Sequence, residues 1–265
     1  SSVVADIKNI EKIISKVDVL ILSYNFGFLP DIEKIAALCK KHKVILIEDC
    51  AQALGAKYND QLVGSFGDYT FYSFGISKNI GFCGGLIASR KKIKLQKIKK
   101  MPFSYLVNTI IKSSIHSLFF HPLIYRFTHK YFQEQLEKSH PPLAYKLSRY
   151  AKNVILHRFK RYNKILKKRQ KNAAYCVREL EGVVNFVKPL DHLNSSWLYF
   201  VIKTDNTQKL MHKLQKHNIE LGEMHTFQAL ASDLPKSLDI ENKILTFALY
   251  RKFSDIKKIV SAIKK

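Results

Sequence analysis

Two stretches of the chain carry side chains whose types and spacing suit covalent chemistry at an amine. Asp49 follows the apolar run Val44–Ile47, and Lys78 lies 29 residues further on, five residues after Ser73. A neutral lysine amine is a nucleophile that bonds to carbonyl carbons. A carboxylate that faces a protonated pyridine nitrogen keeps such a ring electron-withdrawing. These side chains predict a pyridoxal-phosphate site, with Lys78 as its catalytic residue and Asp49 as the partner of the ring nitrogen.

The elements around these residues predict a sheet that would bring them to one edge. Val19–Leu22 and Val44–Ile47 are continuous apolar runs of strand length, and a helical pattern that starts at Pro30-Asp31 separates them. Strand, helix and strand in this order favour an α/β fold with a parallel sheet and right-handed crossovers. Ligands of such sheets bind at the carboxyl ends of the strands, which is where both Asp49 and Lys78 are expected.

Four ordered sequence blocks surround these residues. They are Glu48–Ala56 (EDCAQALGA), Val63–Asp68 (VGSFGD), Ser73-Phe74 followed by Lys78, and Gly84-Gly85. With these blocks the chain resembles the DegT/DnrJ/StrS sugar aminotransferases, a branch of the fold-type-I pyridoxal-phosphate enzymes. The resemblance implies a large domain of aspartate-aminotransferase type with a mainly parallel sheet, here lacking its N-terminal part, and a smaller C-terminal α+β domain.

The resemblance also implies a role for each residue of the site. Lys78 would hold the cofactor covalently and move a proton, and Asp49 would bind the ring nitrogen. Ala51 would lie against one face of the ring, Gln52 would hydrogen-bond the ring hydroxyl, and Ser73 would contact the phosphate. Taken alone, Asp49 also suits a strand-end turn, and Ser73 also suits a hydroxyl that bonds its own backbone.

The implied activity is amino transfer to a keto-sugar linked to a nucleotide, for surface polysaccharide or other amino-sugar biosynthesis. The implied amino donor is glutamate or glutamine, and the implied assembly is a homodimer. Relatives that remove a sugar hydroxyl carry histidine where this chain has Lys78, so the lysine favours an aminotransferase. His225 matches a histidine near the family's sugar-nucleotide site, and it equally suits an ordinary surface histidine.

The chain departs from the family pattern in two places. Residues 1–48 contain neither the Gly-Ser/Thr turn that holds the phosphate nor the aromatic residue that stacks on the ring. Ala144 stands where the family offers an asparagine from the neighbouring subunit. These departures predict a fragment of a longer enzyme. The alternative is a degenerate aminotransferase scaffold that binds cofactor or sugar nucleotide without turnover, with association with a membrane as a further option.

The sequence predicts four segments. Residues 1–100 form part of the cofactor-binding large domain, 101–145 an aromatic and basic insertion, 146–182 connecting helices, and 183–265 the small C-terminal domain. The insertion is interpreted as a helical flap, with residues 101–142 as an alternative contact for a membrane surface. Trp197 is predicted to lie in the core of the small domain, and Ser254 to cap the last helix.

Composition limits the partners. The chain has 45 basic and 21 acidic residues, a formal charge of +24, which would attract any polyanion. The lysines are dispersed, so we interpret most of this charge as surface and expect no nucleic-acid partner. The four scattered cysteines lack metal-binding spacing. We therefore expect no metal, and we expect the cysteines to be reduced thiols. With no signal segment or membrane-spanning run in the sequence, the expected location is the cytoplasm, with the inner membrane surface as an option.

Overall fold

The computed structural model of the chain describes residues 3–75, 78–94, 98–119, 145–189, 194–219 and 243–265, apart from the side chains at 112 and 115–119. The chain divides into two compact units. The first unit comprises Ser1–Tyr72, Ile87–Lys91 and Tyr162–Lys265, and the second comprises Ser73–Leu86 and Lys92–Arg161.

Strands and helices alternate in the first part of the chain and again near its C-terminus. The described helices are α1 (Ile7–Ile13), α2 (Ile32–His42), α3 (Phe103–Phe119), α4 (Arg149–Leu180), α5 (Thr207–Gln215) and α6 (Phe253–Lys264). The described strands are β1 (Val19–Ser23), β2 (Ile45–Asp49), β3 (Lys57–Tyr58), β4 (Gln61–Leu62), β5 (Tyr69–Ser73), β6 (Gly85–Ser89), β7 (Lys99–Lys100), β8 (Tyr145–Lys146), β9 (Tyr199–Lys203) and β10 (Ile244–Ala248).

A four-stranded sheet in the order β1-β2-β5-β6 positions the residues of chemical interest. Strand β2 runs parallel to both β1 and β5, with Ser23 opposite Asp49 on one side and Phe71 opposite Asp49 on the other. Parallel neighbours need a crossover connection, and α2 supplies it between β1 and β2. The predicted α/β fold with a mainly parallel sheet is confirmed.

Helix α2 forms where capping residues and apolar spacing agree. The side chain of Asp31 accepts a hydrogen bond from the backbone N–H of Lys34 at the start of the helix, and Lys43 ends the helix in the left-handed conformation with φ of 59°. One face of the helix, at i, i+3 and i+7, is buried; its residues are Ile32, Ile35 and Cys39. This face packs with the sheet in the first hydrophobic core.

The two faces of the sheet differ. Leu22 and Leu46 are 2% exposed and belong to the first core, whereas Ile21 and Ile45 are 62% and 36% exposed. Alternate side chains of a strand point to opposite faces. The exposed isoleucines therefore lie on the same face of the sheet as Asp49.

The C-terminal part of the first unit has its own core. Strands β9 and β10 pair antiparallel, and helices α5 and α6 contribute to the same cluster. Trp197 is 1% exposed, stacks on Phe200 with ring centroids 5.9 Å apart, and meets Phe28 edge-on. The prediction that Trp197 lies in the core is confirmed.

The predicted cap of the last helix is wrong. Helix α6 begins at Phe253, with Lys252 at the N-cap position and no side-chain capping bond, so Ser254 already lies inside the first turn. The ring of Phe253 packs edge-on against Tyr175, with centroids 5.0 Å apart. The first residue of α6 thus contacts helix α4, to which Tyr175 belongs.

Helix α4 runs unbroken over 32 residues. Within the first unit, the hydroxyl of Tyr162 donates to the backbone oxygen of Leu54 at 2.6 Å. The side-chain amide of Asn172 donates to the backbone oxygens of Leu249 and Arg251. The part of α4 that belongs to the first unit, from Tyr162 onward, is thereby bonded both to the turn after β2 and to the turn after β10.

The second unit contains α3, the short parallel pair β7–β8 and the glycine-rich turn before β6. Residues 120–144, most of the predicted insertion, lie outside the described residues. The division into four predicted segments stays a prediction. Within the described ranges, no helix is long and apolar enough to cross a membrane.

Candidate functional site

Asp49 is the last residue of β2, and both oxygens of its carboxylate have donors. Oδ1 accepts the backbone N–H of Ala51 at 3.0 Å, and Oδ2 accepts the hydroxyl of Ser23 at 3.2 Å. The first bond is the strand-end turn that Asp favours. The turn and a binding role are compatible, because a carboxylate offers about four acceptor positions. The side chain is half-buried and held in one orientation.

Gln52 lies in the turn that follows Asp49, and its side chain has a defined orientation. Its Oε1 accepts the backbone N–H of Phe26 at 2.8 Å. The oxygen end of the amide is therefore engaged by protein, and the NH₂ end is the donor that can serve a ligand. This is the polarity that a ring hydroxyl or phenolate oxygen requires of Gln52.

The Phe26–Gly27 turn, which hydrogen-bonds the side chain of Gln52, has a left-handed backbone. Phe26 adopts φ of 59° and Gly27 adopts φ of 80°. A Cβ built on Gly27 would lie 2.8 Å from the backbone oxygen of Gln52 and would overlap the hydroxyl of Ser196. That hydroxyl donates to the same Gln52 oxygen at 2.8 Å. Only glycine fits beside the Ser196 hydroxyl and the Gln52 backbone oxygen. The hydrogen bond between these two groups joins the segment at Ser196 to the turn at Gln52.

Glu48 anchors the loop that follows. Its side chain is fully buried and accepts the hydroxyl of Tyr24 at 2.6 Å. It also accepts the backbone N–H groups of Gly64, Phe66 and Gly67 at 2.6–2.7 Å. Four donors satisfy the buried carboxylate, as its burial demands. The sequence block Val63–Asp68 is therefore explained by a structural role: it supplies the N–H groups that surround Glu48.

Burial dominates the ionisation of the groups next to Asp49. Burial, followed by the charges of Glu48 and Asp49, raises the pKa of the Cys50 thiol well above its usual range. Burial and then the charge of Glu48 do the same to the pKa of the Tyr24 hydroxyl. Both groups therefore stay neutral at physiological pH and act as donors or packing groups.

Ser73 is the last residue of β5, Lys78 follows in the chain after the strand, and both belong to the second unit. The backbone N–H of Lys78 donates to the backbone oxygen of Gly75 at 2.9 Å. The backbone N–H of Gly75 donates to the hydroxyl of Ser73 at 3.4 Å, a weak bond of the backbone type that Ser73 could make without a ligand. The turn brings Ser73 and Lys78 into one loop, and leaves the Ser73 hydroxyl with capacity for a further partner.

Arg158 supports the chain just beyond Lys78, which the sequence did not indicate. Its guanidinium donates to the backbone oxygens of Ile80 (3.1 Å) and Gly81, and lies 5.6 Å from the ring centroid of Phe82. All of these residues are in the second unit. The sequence carries no signal for this contact, because nothing in the spacing around Arg158 distinguishes it from the other basic residues of the chain.

The residues predicted for the site thus fall into two sets. Asp49, Ala51 and Gln52 share one turn of the first unit, and Ser73 and Lys78 share one turn of the second. Ser23 and the Phe26–Gly27 turn, which hold the first set, were missed by sequence reasoning because their partners are more than twenty residues away. His225 and Ala144 lie outside the described residues, as do most of the insertion's histidines.

The first set of donors and acceptors fits the ring of pyridoxal phosphate. Asp49 could offer its fixed carboxylate to a protonated ring nitrogen, and Gln52, whose Oε1 accepts the backbone N–H of Phe26, could offer its NH₂ group to a ring oxygen. Ala51, between them, is small. Within the described residues, no group of three or more histidine, cysteine or acidic side chains could hold a metal ion.

Comparison with known proteins gives the same family and fold. The model of the DegT/DnrJ/EryC1/StrS aminotransferase family matches residues 1–264. A DegT/DnrJ/EryC1/StrS aminotransferase from Brucella abortus superposes with a TM-score of 0.66 at 20% identity, over 92% of this chain and 63% of that one. This likeness confirms the fold-type-I architecture.

Curated relatives match over shorter stretches. A UDP-N-acetyl-3-dehydro-alpha-D-glucosamine 3-aminotransferase of Acidithiobacillus ferrooxidans is 52% identical over 59 residues, 22% of this chain and 16% of the relative. The GDP-perosamine synthase of Vibrio cholerae is 35% identical over 99 residues, 37% of this chain and 26% of the relative. These matches span well under two thirds of the relatives' length. The match of the family model over nearly the whole chain decides membership: the chain belongs to the DegT/DnrJ/EryC1/StrS aminotransferase family.

Proposed function

We propose that this chain is the greater part of a pyridoxal-phosphate aminotransferase that places an amino group on a nucleotide-linked keto-sugar. The observation that carries the proposal is the orientation of Asp49 and Gln52 in one turn: a held carboxylate and an amide with its donor end available. Family membership supports the reaction class. The names of the relatives, a GDP-perosamine synthase and a UDP-sugar 3-aminotransferase, support a nucleotide sugar as the substrate.

In this proposal each side chain has one task. The cofactor, when bound, supplies a ring that withdraws electrons from the bond to be broken. Asp49 would accept a hydrogen bond from the protonated ring nitrogen, Gln52 would donate to the ring hydroxyl, and Ser73 would donate to the phosphate. Ala51 leaves room for the ring face. Lys78 Nζ is the nucleophile that anchors the cofactor, and it takes and returns a proton at the substrate carbon that bears nitrogen.

Further parts of the proposal follow from the family resemblance. The amino donor is glutamate or glutamine, the protein acts as a cytoplasmic homodimer, and its product enters surface polysaccharide. A contact of residues 101–142 with the inner membrane surface is a further option, and most of that range lies outside the described residues.

Borohydride trapping tests the proposal. The full-length protein mixed with pyridoxal phosphate should turn yellow, and borohydride should fix the cofactor on the peptide that contains Lys78. Lys78→Arg should abolish the colour and the label. The matched control is Lys94→Arg, which changes an exposed lysine of the same unit and should label normally.

Two results would count against this function. A protein that stays colourless, or one labelled equally with and without Lys78, contradicts the cofactor site. A labelled protein that forms no amino sugar from GDP-, UDP- or dTDP-linked keto-sugars would favour the alternative, a scaffold that binds without turnover.

A further inference from the structure

Ser23 is the register partner of Asp49 on the neighbouring parallel strand. Residues that stand opposite each other in this register point to the same face of the sheet. The Ser23 hydroxyl accordingly reaches Oδ2 of Asp49, at 3.2 Å. Strand β1 is apolar from Val19 to Leu22 and ends in the hydroxyl residue Ser23. The adjacent strand β2 ends at the same level in the carboxylate of Asp49.

The remaining contacts of Asp49 leave Ser23 a specific task. Oδ1 is already held by the backbone N–H of Ala51 at 3.0 Å, and the backbone oxygen of Asp49 accepts the N–H of Tyr24 at 3.1 Å. These bonds come from the main chain, so any sequence with this fold can make them. Among the described residues, Ser23 is the one whose side chain donates a hydrogen bond to this carboxylate. Its hydroxyl bonds Oδ2, the oxygen that the Ala51 N–H does not bond.

We propose that Ser23 is a positioning residue of the cofactor site, whose hydroxyl holds the carboxylate of Asp49 in its orientation toward the cofactor ring nitrogen. The inference rests on the proposed function, because it concerns the same site. A hydrogen bond to each oxygen fixes the rotation of the carboxylate and leaves further acceptor positions for a ligand. The hydroxyl therefore acts on the ring through Asp49 and does not touch it.

Among the described residues of the first unit, the neighbours of Asp49 offer its carboxylate no side-chain donor besides Ser23. On β1 the facing residue is Ser23, and on β5 it is Phe71, which is apolar. The ionisable groups nearby are Glu48 and Cys50, the neighbours of Asp49 in sequence. Glu48 is turned to the opposite, buried face, where Tyr24 and the loop N–H groups hold it. Cys50 is neutral because its pKa is raised by burial.

A matched pair of variants isolates the hydroxyl. Ser23→Thr keeps the donor, and Ser23→Val has the shape of threonine without it; both β-branched residues suit a strand. In the protein without cofactor, the carboxyl carbon-13 signal of Asp49, identified by its loss in Asp49→Asn, reports the hydrogen bonds to this carboxylate. We expect this signal, measured at one neutral pH, to be alike in Ser23→Thr and the parent chain and to be displaced in Ser23→Val.

The second readout concerns the cofactor. With nitrogen-15-labelled pyridoxal phosphate bound, the ring nitrogen should be protonated to a smaller extent in Ser23→Val than in Ser23→Thr or the parent chain. A purely structural role of Ser23 would instead change the urea midpoint of unfolding and leave the nitrogen signal of the two variants alike.

Equal Asp49 carboxyl signals in the two variants would overturn the inference, and so would a displaced carboxyl signal with an unchanged ring-nitrogen signal. The carboxyl measurement needs no cofactor, so failure of the proposed function is seen separately, as absent borohydride labelling of Lys78.

Discussion

At the scale of single residues, the buried carboxylate of Glu48 organises more backbone than the site residue beside it. It accepts the hydroxyl of Tyr24 and the N–H groups of Gly64, Phe66 and Gly67, all at 2.7 Å or less. We expect Glu48→Gln to lower the free energy of unfolding by at least about 3 kcal/mol, because the amide places its own N–H groups against protein donors. Urea denaturation measures this loss.

The matched control is Glu11→Gln, the same change at an exposed carboxylate of helix α1. It should stay within about 0.5 kcal/mol of the parent chain. If the two variants had similar unfolding free energies, the account of Glu48 as the anchor of the Val63–Asp68 loop would be wrong.

At the scale of elements, helix α4 is destabilised by its own charge. Between Arg149 and Arg178 it contains no acidic residue, and Lys164, Lys167 and Lys168 are exposed on its surface. Like charges three and four residues apart repel, whereas a glutamate N-terminal to lysines at these spacings attracts them. We expect Lys164→Glu to raise the free energy of unfolding by about 0.5–1 kcal/mol at low salt, measured by urea denaturation.

Lys164→Gln is the control, because it removes the repulsion and adds no attraction. Its unfolding free energy should lie between those of the parent and Lys164→Glu. Added salt should bring the three proteins together, since exposed charges are screened. If Lys164→Glu were less stable than Lys164→Gln, repulsion among the exposed lysines would not be what limits the stability of this helix.

At the scale of the whole molecule, burial controls the chemistry of all four thiols. Cys39, Cys50, Cys83 and Cys176 are free and buried. Burial raises the pKa of each, to about 12 for Cys176. The thiolate is the reactive form. At pH 8 we therefore expect the folded protein to react with a thiol reagent far more slowly than the protein in urea, where four thiols per chain should react at once.

A rapid reaction of even one thiol per folded chain would contradict this expectation. Cysteine-to-serine variants at the four positions would then identify the residue whose burial is incomplete. The rate in the folded state should follow the unfolding equilibrium, so the destabilised Glu48→Gln variant should react faster than the parent.

The sequence by itself determined the local features of this protein. Continuous apolar runs indicated β1 and β2, helical spacing indicated α2, and ordered blocks around Asp49 and Lys78 indicated the family and fold. The first two signals depend on residues a few positions apart, and the third on short blocks in a fixed order along the chain. The predicted cap at Ser254 was wrong because the helix already begins at Phe253, whose ring contacts Tyr175, 78 residues earlier in the chain.

Only the tertiary structure decided which partners orient the candidate site. Ser23 meets Asp49 because two strands pair in one particular register, and a shift of one residue would turn the hydroxyl to the other face. Gln52 has its donor end available because the Phe26–Gly27 turn, 26 residues earlier, takes its oxygen. A serine after an apolar run and a glycine after a phenylalanine carry no signal of these contacts. Register and chain crossing, which are properties of the folded sheet, create them.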